Sequence, residues 1–355
     1  MVIAYVRSDT GSFASIAIQK KMIEQFARMH KVECNEFYID KIQLKRKSKN
    51  VSNIRALGYS RAYEKENYYP EFERMILQII EGNVESILVD MENRLYTYSK
   101  QYNFFRSICD KNQVRIIEVA GMPPHEPESE MCPVAIYHFT NQSEKRPRIF
   151  MKDLDKIYQY VSRQERWDTP TVFLDYSLRK SEHLQYDRMI KAIDKFQVIV
   201  SMDFYHIEDK LGTFIKEAKW LIQEKGIELV SIKDGKLRFL EDEILNQNYK
   251  VAVYDRWADG AEKNLEIQVF ETFVKYKTKW EIKNFYIEKE KIERDAEQVE
   301  MKRLLKEKDQ YDLILVKSFN RFHWRTSMFF KIMRQLGLPV YSLAEGGIKI
   351  EMQNI

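Results

Sequence analysis

The residues best suited to chemistry in this sequence are arginines that follow short apolar runs. The run Leu313–Val316 is typical of a strand buried on both faces, and the polar residues after it include Asn320 and Arg321. In an open α/β sheet, ligands bind just beyond the carboxyl ends of the strands. A guanidinium group there can hold a phosphate or a carboxylate through its planar set of donors. The sequence therefore predicts an anion-binding position at Arg321.

The same combination of strand and arginine occurs earlier in the chain. The segment SILVDM is followed by Asn93 and Arg94, which form the same pair of polar residues. The opening VIAYVRSDTGS also has a late counterpart, VAVYDRWADGA, and the alignment of their tyrosines places Arg7 opposite Arg256. Four arginines are therefore candidate phosphate-binding residues, Arg7 and Arg94 early in the chain and Arg256 and Arg321 late in it.

A helix with one apolar face is predicted after each of these opening strands. Gln19 and Gln268 stand at the same distance from the aligned tyrosines and are candidate supporting residues, together with the two asparagines named above. The buried face is expected to contain Ile16, Met22, Ile23, Phe26 and Met29 in the first helix, and Leu265, Val269, Phe270, Phe273 and Val274 in the late one.

The remaining apolar runs complete a βαβαβαβ pattern that occurs three times, in units of roughly 110 residues. A faint middle copy begins with PVAIYHFTN and continues with TVFLDY, VIVSM and IELVSIKDG. Right-handed crossovers place helices on both faces of a sheet, so the predicted fold class is α/β, with three tandem doubly wound, flavodoxin-like domains and mainly parallel sheets. The predicted domains are residues 1–122, 133–240 and 249–355, and residues 122–130 are a predicted linker.

Composition limits the classes of function. The net charge of +4 is small against 58 basic and 54 acidic residues, so it permits a nucleic-acid partner without favouring one. The three scattered cysteines predict a reducing compartment, and His138, His206 and His323 lack the spacing of a metal site. No apolar run is long enough to cross a bilayer, and the chain enters a strand at once. We therefore expect a cytoplasmic protein without a membrane partner, a metal or a small-molecule cofactor.

A basic stretch, residues 41–50, interrupts the pattern of the first unit. It has two interpretations, a solvated loop or a basic arm that follows a phosphate backbone. The nearby Tyr59, Tyr63, Tyr68 and Tyr69 could likewise stack on bases or pack the loop onto its domain.

The first and third units resemble the catalytic domain of serine recombinases, the resolvase and invertase type. That family opens with Tyr-x-Arg-x-Ser, places a glutamine in its first helix, and follows its third strand with Asp-Arg-Leu-x-Arg or Ser-Arg-Phe-x-Arg. The segments VKSFNRF and YSLAEGG of the third unit are close to the family's form. The resemblance covers nearly the whole chain, although in the middle unit it rests mostly on the order of strands and helices.

The resemblance implies a DNA-cleaving site whose nucleophile is missing. In the family, the motif serine attacks a DNA phosphate and forms a covalent link, while neighbouring arginines neutralise the phosphate oxygens. The position of that serine holds Asp9 in unit one, Asn141 in unit two and Ala258 in unit three. Ser8 stands one residue too early, and strand alternation predicts that its side chain points to the other face.

The family's arginines are partly kept, as Arg7 and Arg94 in unit one and as Arg256 and Arg321 in unit three. They are either leftover ion pairs or two pockets that still hold phosphate without cutting it, and the ion-pair interpretation is preferred. The expected ion pairs join Arg7 to Asp9, and Arg256 to Asp255 or Asp259. Other residues stand at the family's remaining arginine positions: Thr97 in unit one, Trp324 beside Arg325 in unit three, and Phe139, Tyr205 and His206 in unit two.

Three functions are compatible with these residues. The first is a catalytically inactive relative of serine recombinases that binds DNA, RNA or a partner protein. The second is an interaction scaffold with no nucleic-acid role, in which the fusion fixes an arrangement that separate subunits otherwise reach by assembly. The third is an enzyme related to DNA strand exchange, with changed chemistry that uses Asp9 together with Arg7 and Arg94. The family also relies on a long helix and a DNA-binding domain after the catalytic domain, so recombination by this polypeptide alone is not expected.

Overall fold

The structure is a computed structural model that describes residues 1–41, 69–96, 99–121, 130–139, 147–175, 183–257, 263–289 and 298–352. These residues form two compact units, 1–202 and 203–355. The second unit begins inside the predicted middle domain, so the division into three domains stays a prediction. Several sequence predictions lie outside the described residues, namely those for Asn141, Ala258, Thr97, nearly all of the basic stretch and most of the linker.

The first unit contains a parallel four-stranded sheet, in which β-branched and leucine-rich runs form strands covered on both faces. The strand order is β2-β1-β3-β4, and β1 is central, with Ile3, Ala4, Tyr5 and Val6 fully buried. The elements in chain order are β1 (Val2–Ser8), α1 (Phe13–Met29), β2 (Cys34–Lys41), α2 (Pro70–Ile80), β3 (Ser86–Val89), α3 (Ser99–Lys111) and β4 (Arg115–Glu118).

The same unit contains three further parallel strands, in the order β6-β5-β7. The first helix among them, α4, packs against α1. This contact is the one on which the candidate site depends. The elements are β5 (Val134–Phe139), α4 (Pro147–Val161), β6 (Thr171–Asp175), α5 (Leu184–Lys191) and β7 (Val198–Ser201).

The second unit contains seven strands in the order β11-β10-β12-β13-β14-β9-β8. The first four are parallel, and the pairs β13 with β14, β14 with β9, and β9 with β8 are antiparallel. The strands are β8 (Glu228–Ser231), β9 (Gly235–Leu240), β10 (Lys250–Trp257), β11 (Glu281–Lys289), β12 (Leu313–Val316), β13 (Val340–Ser342) and β14 (Gly346–Glu351). The helices are α6 (Leu211–Lys219), α7 (Lys263–Lys277), α8 (Val299–Glu307) and α9 (Thr326–Leu336).

The predicted α/β class with mainly parallel sheets is confirmed. Strands β9 and β14 were not predicted, because each follows the preceding strand after a tight turn that reads as a strand end. Gly235 and Gly346 stand at these turns with φ of +94° and +86°, a backbone region that favours glycine.

The predicted buried faces of two helices need correction. Met29 is 49% exposed, and Leu265 and Val269 are 56% and 46% exposed. Phe270 and Val274 of α7 are buried as predicted. They lie one residue earlier than the positions that the alignment of the strands makes equivalent to Met22 and Phe26. The helix is therefore offset by one residue from the alignment, and this turns its aligned positions to another face.

Carboxylates at strand ends bind the next helix in the first unit. Asp40, the last acid of β2, accepts hydrogen bonds from the Tyr5 hydroxyl at 3.0 Å and from the Glu71 and Phe72 amides at 3.1 and 2.8 Å. These amides belong to the first turn of α2, where backbone donors lack helical partners. The segment that reads FYID thus ends in a helix cap.

We expect that Gly235→Ala will destabilise the second unit by about 1–3 kcal/mol, because the left-handed backbone is strained for alanine. The added Cβ would also lie 2.6 Å from the Glu351 carbonyl oxygen of the paired strand. Gly212→Ala in α6 is the matched control, because its Cβ meets no atom within 4 Å. Urea denaturation measures both variants, and equal free energies of unfolding would contradict the prediction.

We expect the free energy of unfolding to fall as the pH rises from about 4 to about 6, in part because of Asp40. Burial raises the pKa of Asp40 from 3.8 to about 6, so the unfolded chain loses this proton at a lower pH than the folded chain. Asp40→Asn keeps an acceptor for the α2 amides and removes the titration. Denaturation curves at several pH values should give a flatter profile for the variant, and parallel profiles would refute this role.

Candidate functional site

The first site lies where β1 and the turn after β3 end. The Arg7 Nη2 atom donates to Asp9 Oδ2 at 3.1 Å, and the Tyr69 hydroxyl donates to Asp9 Oδ1 at 3.2 Å. Arg7 also lies over the Tyr69 ring, 5.0 Å from its centroid. Burial lowers the pKa of Arg7, but the Asp9 carboxylate together with Tyr69 and Tyr5 raises that pKa above its ordinary value. The expected ion pair between Arg7 and Asp9 is therefore present.

A carboxylate from another helix, that of Asp155 in α4, fills the centre of this site. Its Oδ2 atom accepts from the Asp9 amide at 2.6 Å and from the Thr10 amide at 3.1 Å. Its Oδ1 atom accepts from the Ser15 hydroxyl at 2.7 Å and lies 2.9 Å from Arg94 Nη1. The turn between β1 and α1 thus wraps one anionic group, and that group belongs to the chain itself.

Ser8 also contacts this carboxylate. Its hydroxyl donates to Asp155 Oδ2 at 3.1 Å and accepts from the Ser12 amide at 2.9 Å. The Ser8 hydroxyl bonds to Asp155, whereas the Asp9 carboxylate bonds to Arg7, so the two neighbouring side chains have different partners. Ser8 nevertheless remains within the site, as a ligand of Asp155.

The Arg94 side chain is fully buried among carboxylates. Its Nε atom lies 3.2 Å from Asp90 Oδ2, and its Nη1 atom lies 3.9 Å from Asp9 Oδ2. Burial lowers the pKa of Arg94, but Asp90 and Asp155 raise it above its ordinary value, while burial raises the pKa of Asp90. Two guanidiniums and three carboxyl groups share this cluster, so a further anion would be repelled unless a carboxylate is removed or protonated.

Gln19 supports the loop in the manner expected of a positioning residue. Its Oε1 atom accepts from the Arg7 amide at 3.1 Å, and its Nε2 atom donates to the Arg7 carbonyl and to Ser15 Oγ, both at 3.0 Å. The Asn93 carbonyl lies 3.5 Å from Arg7 Nη2, and its side chain accepts from the Tyr96 hydroxyl. These two residues therefore adjoin the site.

The second site contains Arg256 and Arg321 at the ends of β10 and β12. Arg321 Nε lies 3.0 Å from Asp255 Oδ1, and Arg321 Nη1 donates to the Arg256 carbonyl at 3.0 Å. Arg256 donates to the Phe322 carbonyl at 2.8 Å and to the Tyr254 hydroxyl at 3.3 Å. The Asp255 side chain thus forms its ion pair with Arg321 and not with Arg256, while the alternative expected partner of Arg256, Asp259, lies outside the described residues.

This second site is more open than the first, and its described residues include more guanidinium groups than carboxylates. The Arg321 side chain is 29% exposed, whereas that of Arg94 is fully buried. Burial lowers the pKa of His323, and the nearby Arg256 and Arg325 guanidiniums lower it further. Trp324 is 52% exposed, with the Arg325 guanidinium 4.7 Å from its ring centroid.

Gln268 and Asn320 are exposed, and among the described residues neither forms a hydrogen bond with Arg256 or Arg321. The one-residue offset of α7 explains the position of Gln268. At the middle motif, the Phe139 ring is buried and stacks on His183, and His206 Nδ1 lies 2.7 Å from Asp203 Oδ1. Within the part of the chain that is described, no cluster of three or more metal-binding side chains occurs, and no helix is long and apolar enough to span a membrane.

Asp155 was missed because the sequence was searched for arginines and serines at strand ends. One signal was available. Asp155 stands among the buried positions of an amphipathic helix, directly after Leu154 and before Ile157 and Tyr158. An acid on an apolar face requires a buried partner, because an unpaired charge there is costly.

No protein-family model matches the chain, and no curated protein sequence matches it. Among solved structures, the chain is similar to the first ORF in transposon ISC1904 from Sulfolobus solfataricus P2, with 16% identity over 36% of this chain and 72% of that chain, and a TM-score of 0.23. It is also similar to the C-terminal catalytic domain of ISC1926 TnpA, an IS607-like serine recombinase, with 13% identity over 35% and 70% of the two chains, and a TM-score of 0.25. A periplasmic sugar-binding protein of an ABC sugar transporter from Legionella pneumophila matches at 8% identity over 81% and 88%, with a TM-score of 0.23. At such identities and TM-scores, function is argued from the residues of this chain.

We expect that Arg94→Ala will destabilise the first unit by about 3–5 kcal/mol, because it leaves buried carboxylates without a cation. Arg321→Ala, at the matching motif position, should cost less, because Arg321 is 29% exposed and the Arg256 amide and the Trp257 indole still donate to Asp255. The free energy of unfolding in urea measures both variants. Equal losses would show that the buried cluster has no special dependence on its cation.

Proposed function

We propose that the chain is a catalytically inactive relative of serine recombinases, built from three degenerate copies, that acts by binding nucleic acid. One observation supports the proposed loss of catalysis. Asp9 stands where the family has its serine, and both it and Asp155 are buried against the retained arginines. A phosphodiester would meet carboxylates at the place where the family's reaction needs a hydroxyl and free guanidiniums.

The two serines nearest to Asp9 in this site, Ser8 and Ser15, are poorly placed to take over the attack. The Ser8 and Ser15 hydroxyls both donate to Asp155, and each side chain is fully buried. The alternative of altered chemistry at Asp9 receives no support either, because that carboxylate is 1% exposed and ion-paired to Arg7. We expect neither nuclease nor strand-joining activity from the wild type, and no difference after Asp9→Ala.

The second unit supports the nucleic-acid role. Among the described residues, Asp255 forms an ion pair with Arg321, whereas the Arg256 guanidinium donates to two uncharged acceptors, the Phe322 carbonyl and the Tyr254 hydroxyl, so positive charge remains near the end of β12. Arg325 and the exposed Trp324 extend this surface. Guanidiniums bind phosphates, and an exposed indole offers a face on which bases stack.

We expect the chain to bind single- or double-stranded DNA or RNA at low salt, with an affinity that falls as salt rises. Fluorescence anisotropy with labelled oligonucleotides over a range of salt measures this. Arg325→Ala should weaken binding and lower the slope of log affinity against log salt by about 0.9, the value for one lost phosphate contact. Trp324→Ala should weaken binding to single strands more than to duplexes.

Arg303→Ala is the control, because Arg303 is also exposed but is paired with Glu300 and Glu307 on α8. The absence of any binding at low salt would remove the nucleic-acid role. Equal effects of Arg303→Ala and Arg325→Ala would leave non-specific charge as the cause.

A protein-interaction scaffold is the second candidate, and one observation favours it. Leu265, Val269 and Tyr276 are spaced to lie along one side of α7 and are 56%, 46% and 70% exposed. Recovery of a stable protein partner that resists nuclease treatment would favour this candidate over nucleic-acid binding.

A further inference from the structure

The turn between β1 and α1 offers a set of donors suited to one oxyanion. The set contains the Asp9 and Thr10 amides, the Ser8 and Ser15 hydroxyls, and the Arg94 guanidinium, and all of them meet the two oxygens of Asp155. Backbone amides at a helix start, hydroxyls and a guanidinium together are the groups that hold carboxylates and phosphates in proteins.

A second feature also indicates a ligand site. The Arg94 Nη2 atom is buried and has no hydrogen-bond acceptor among the residues that the structure describes. A buried guanidinium with an unsatisfied donor is costly, so a simple structural ion pair would be expected to engage it. The donors therefore exceed what the Asp155 side chain can satisfy.

We infer that Asp155 is an internal ligand of an oxyanion-binding site, and that helix α4 and a free carboxylate compete for the same donors. The ligand class follows from the charge of the cluster. A monoanionic carboxylate replaces Asp155 charge for charge, whereas a dianionic phosphate adds one negative charge beside Asp9 and Asp90. In this structure α4 closes the site, and a ligand reaches it only when that helix withdraws or its carboxylate is removed.

This inference goes beyond binding of nucleic acid, since it concerns the first unit and a small anion. It also gives α4 a conformational role. The packing of α4 on α1 depends on a charged contact that a soluble anion can replace. The failure of this inference would leave the nucleic-acid proposal untouched, because the arginines proposed for that role are in the second unit.

Chemical rescue of Asp155→Ala tests the inference. The truncation leaves room for formate, which has the carboxylate group that the variant lacks. At a formate concentration tenfold above its dissociation constant, the thermal midpoint of Asp155→Ala should rise by about 3–6 °C relative to sodium chloride at equal ionic strength. The rise should saturate with formate concentration, and inorganic phosphate should give a smaller one.

Two controls separate a site from a general salt effect. Asp153→Ala changes an acid on the same helix that is paired with Lys156 at 3.4 Å, and it should not respond to formate. Asp155→Asn keeps the shape of the side chain and leaves no space for formate, so it should not respond either. A formate response of equal size in all variants would overturn the inference.

Amide hydrogen exchange gives a second measurement at the site itself. Exchange of the Asp9 and Thr10 amides should be faster in Asp155→Ala than in the wild type, and formate should slow it again. If Asp155→Ala does not fold in chloride, circular dichroism during a formate titration reports recovery of structure. Identical curves in formate and chloride, by either measurement, would refute the proposed site.

Discussion

The first unit depends on the burial of one guanidinium, that of Arg94. An arginine cannot be left without counter-charges in a closed interior, because desolvation of the ion costs several kcal/mol. The chain supplies Asp90 from the end of β3 and Asp155 from α4, and these carboxylates are themselves buried. The position of α4 against α1 is therefore fixed by charge as well as by apolar packing. These hydrogen bonds are directional, because each carboxylate oxygen of Asp155 has its own donors, whereas apolar contacts are not directional in this way.

Hydrogen bonds that recur at equivalent positions support the prediction of three copies more directly than the similarity of the sequence segments does. In each predicted copy, an acid at the end of the fourth strand or just after it accepts a hydrogen bond from the first amide of the turn after the third strand. The three pairs are Glu118 with the Glu92 amide, Asp234 with the Phe204 amide, and Glu345 with the Phe319 amide. The carboxylate that caps the second helix also recurs, as Asp40, as Asp175 on the Gln185 and Tyr186 amides, and as Glu288 on the Met301 amide. Such hydrogen bonds persist in a degenerate sequence because a buried helix start still needs acceptors.

The sequence predicted the fold class and the meeting of Arg7 with Arg94, because apolar runs at strand length and polar residues at strand ends follow local rules. It did not predict the one-residue offset of α7, so Gln268, which is exposed, was assigned to the wrong face. It also did not predict Asp155. That contact joins residues separated by 146 positions, and no local pattern encodes which carboxylate will meet a buried turn. The part that could not be predicted is therefore long-range pairing of charge.

The two arginine sites differ in the sign of their remaining charge, although they began from the same motif positions. In the first unit, three carboxyl groups surround two guanidiniums, and the site is closed to solvent. In the second, among the described residues, Asp255 forms an ion pair with Arg321 and the Arg256 guanidinium donates to uncharged oxygens. The Arg321 side chain is 29% exposed. An external anion is thus opposed at one site and attracted at the other. An arginine that is kept at a motif position therefore need not bind phosphate. The carboxylates around it decide whether it binds a side chain of the same protein or an anion from solution.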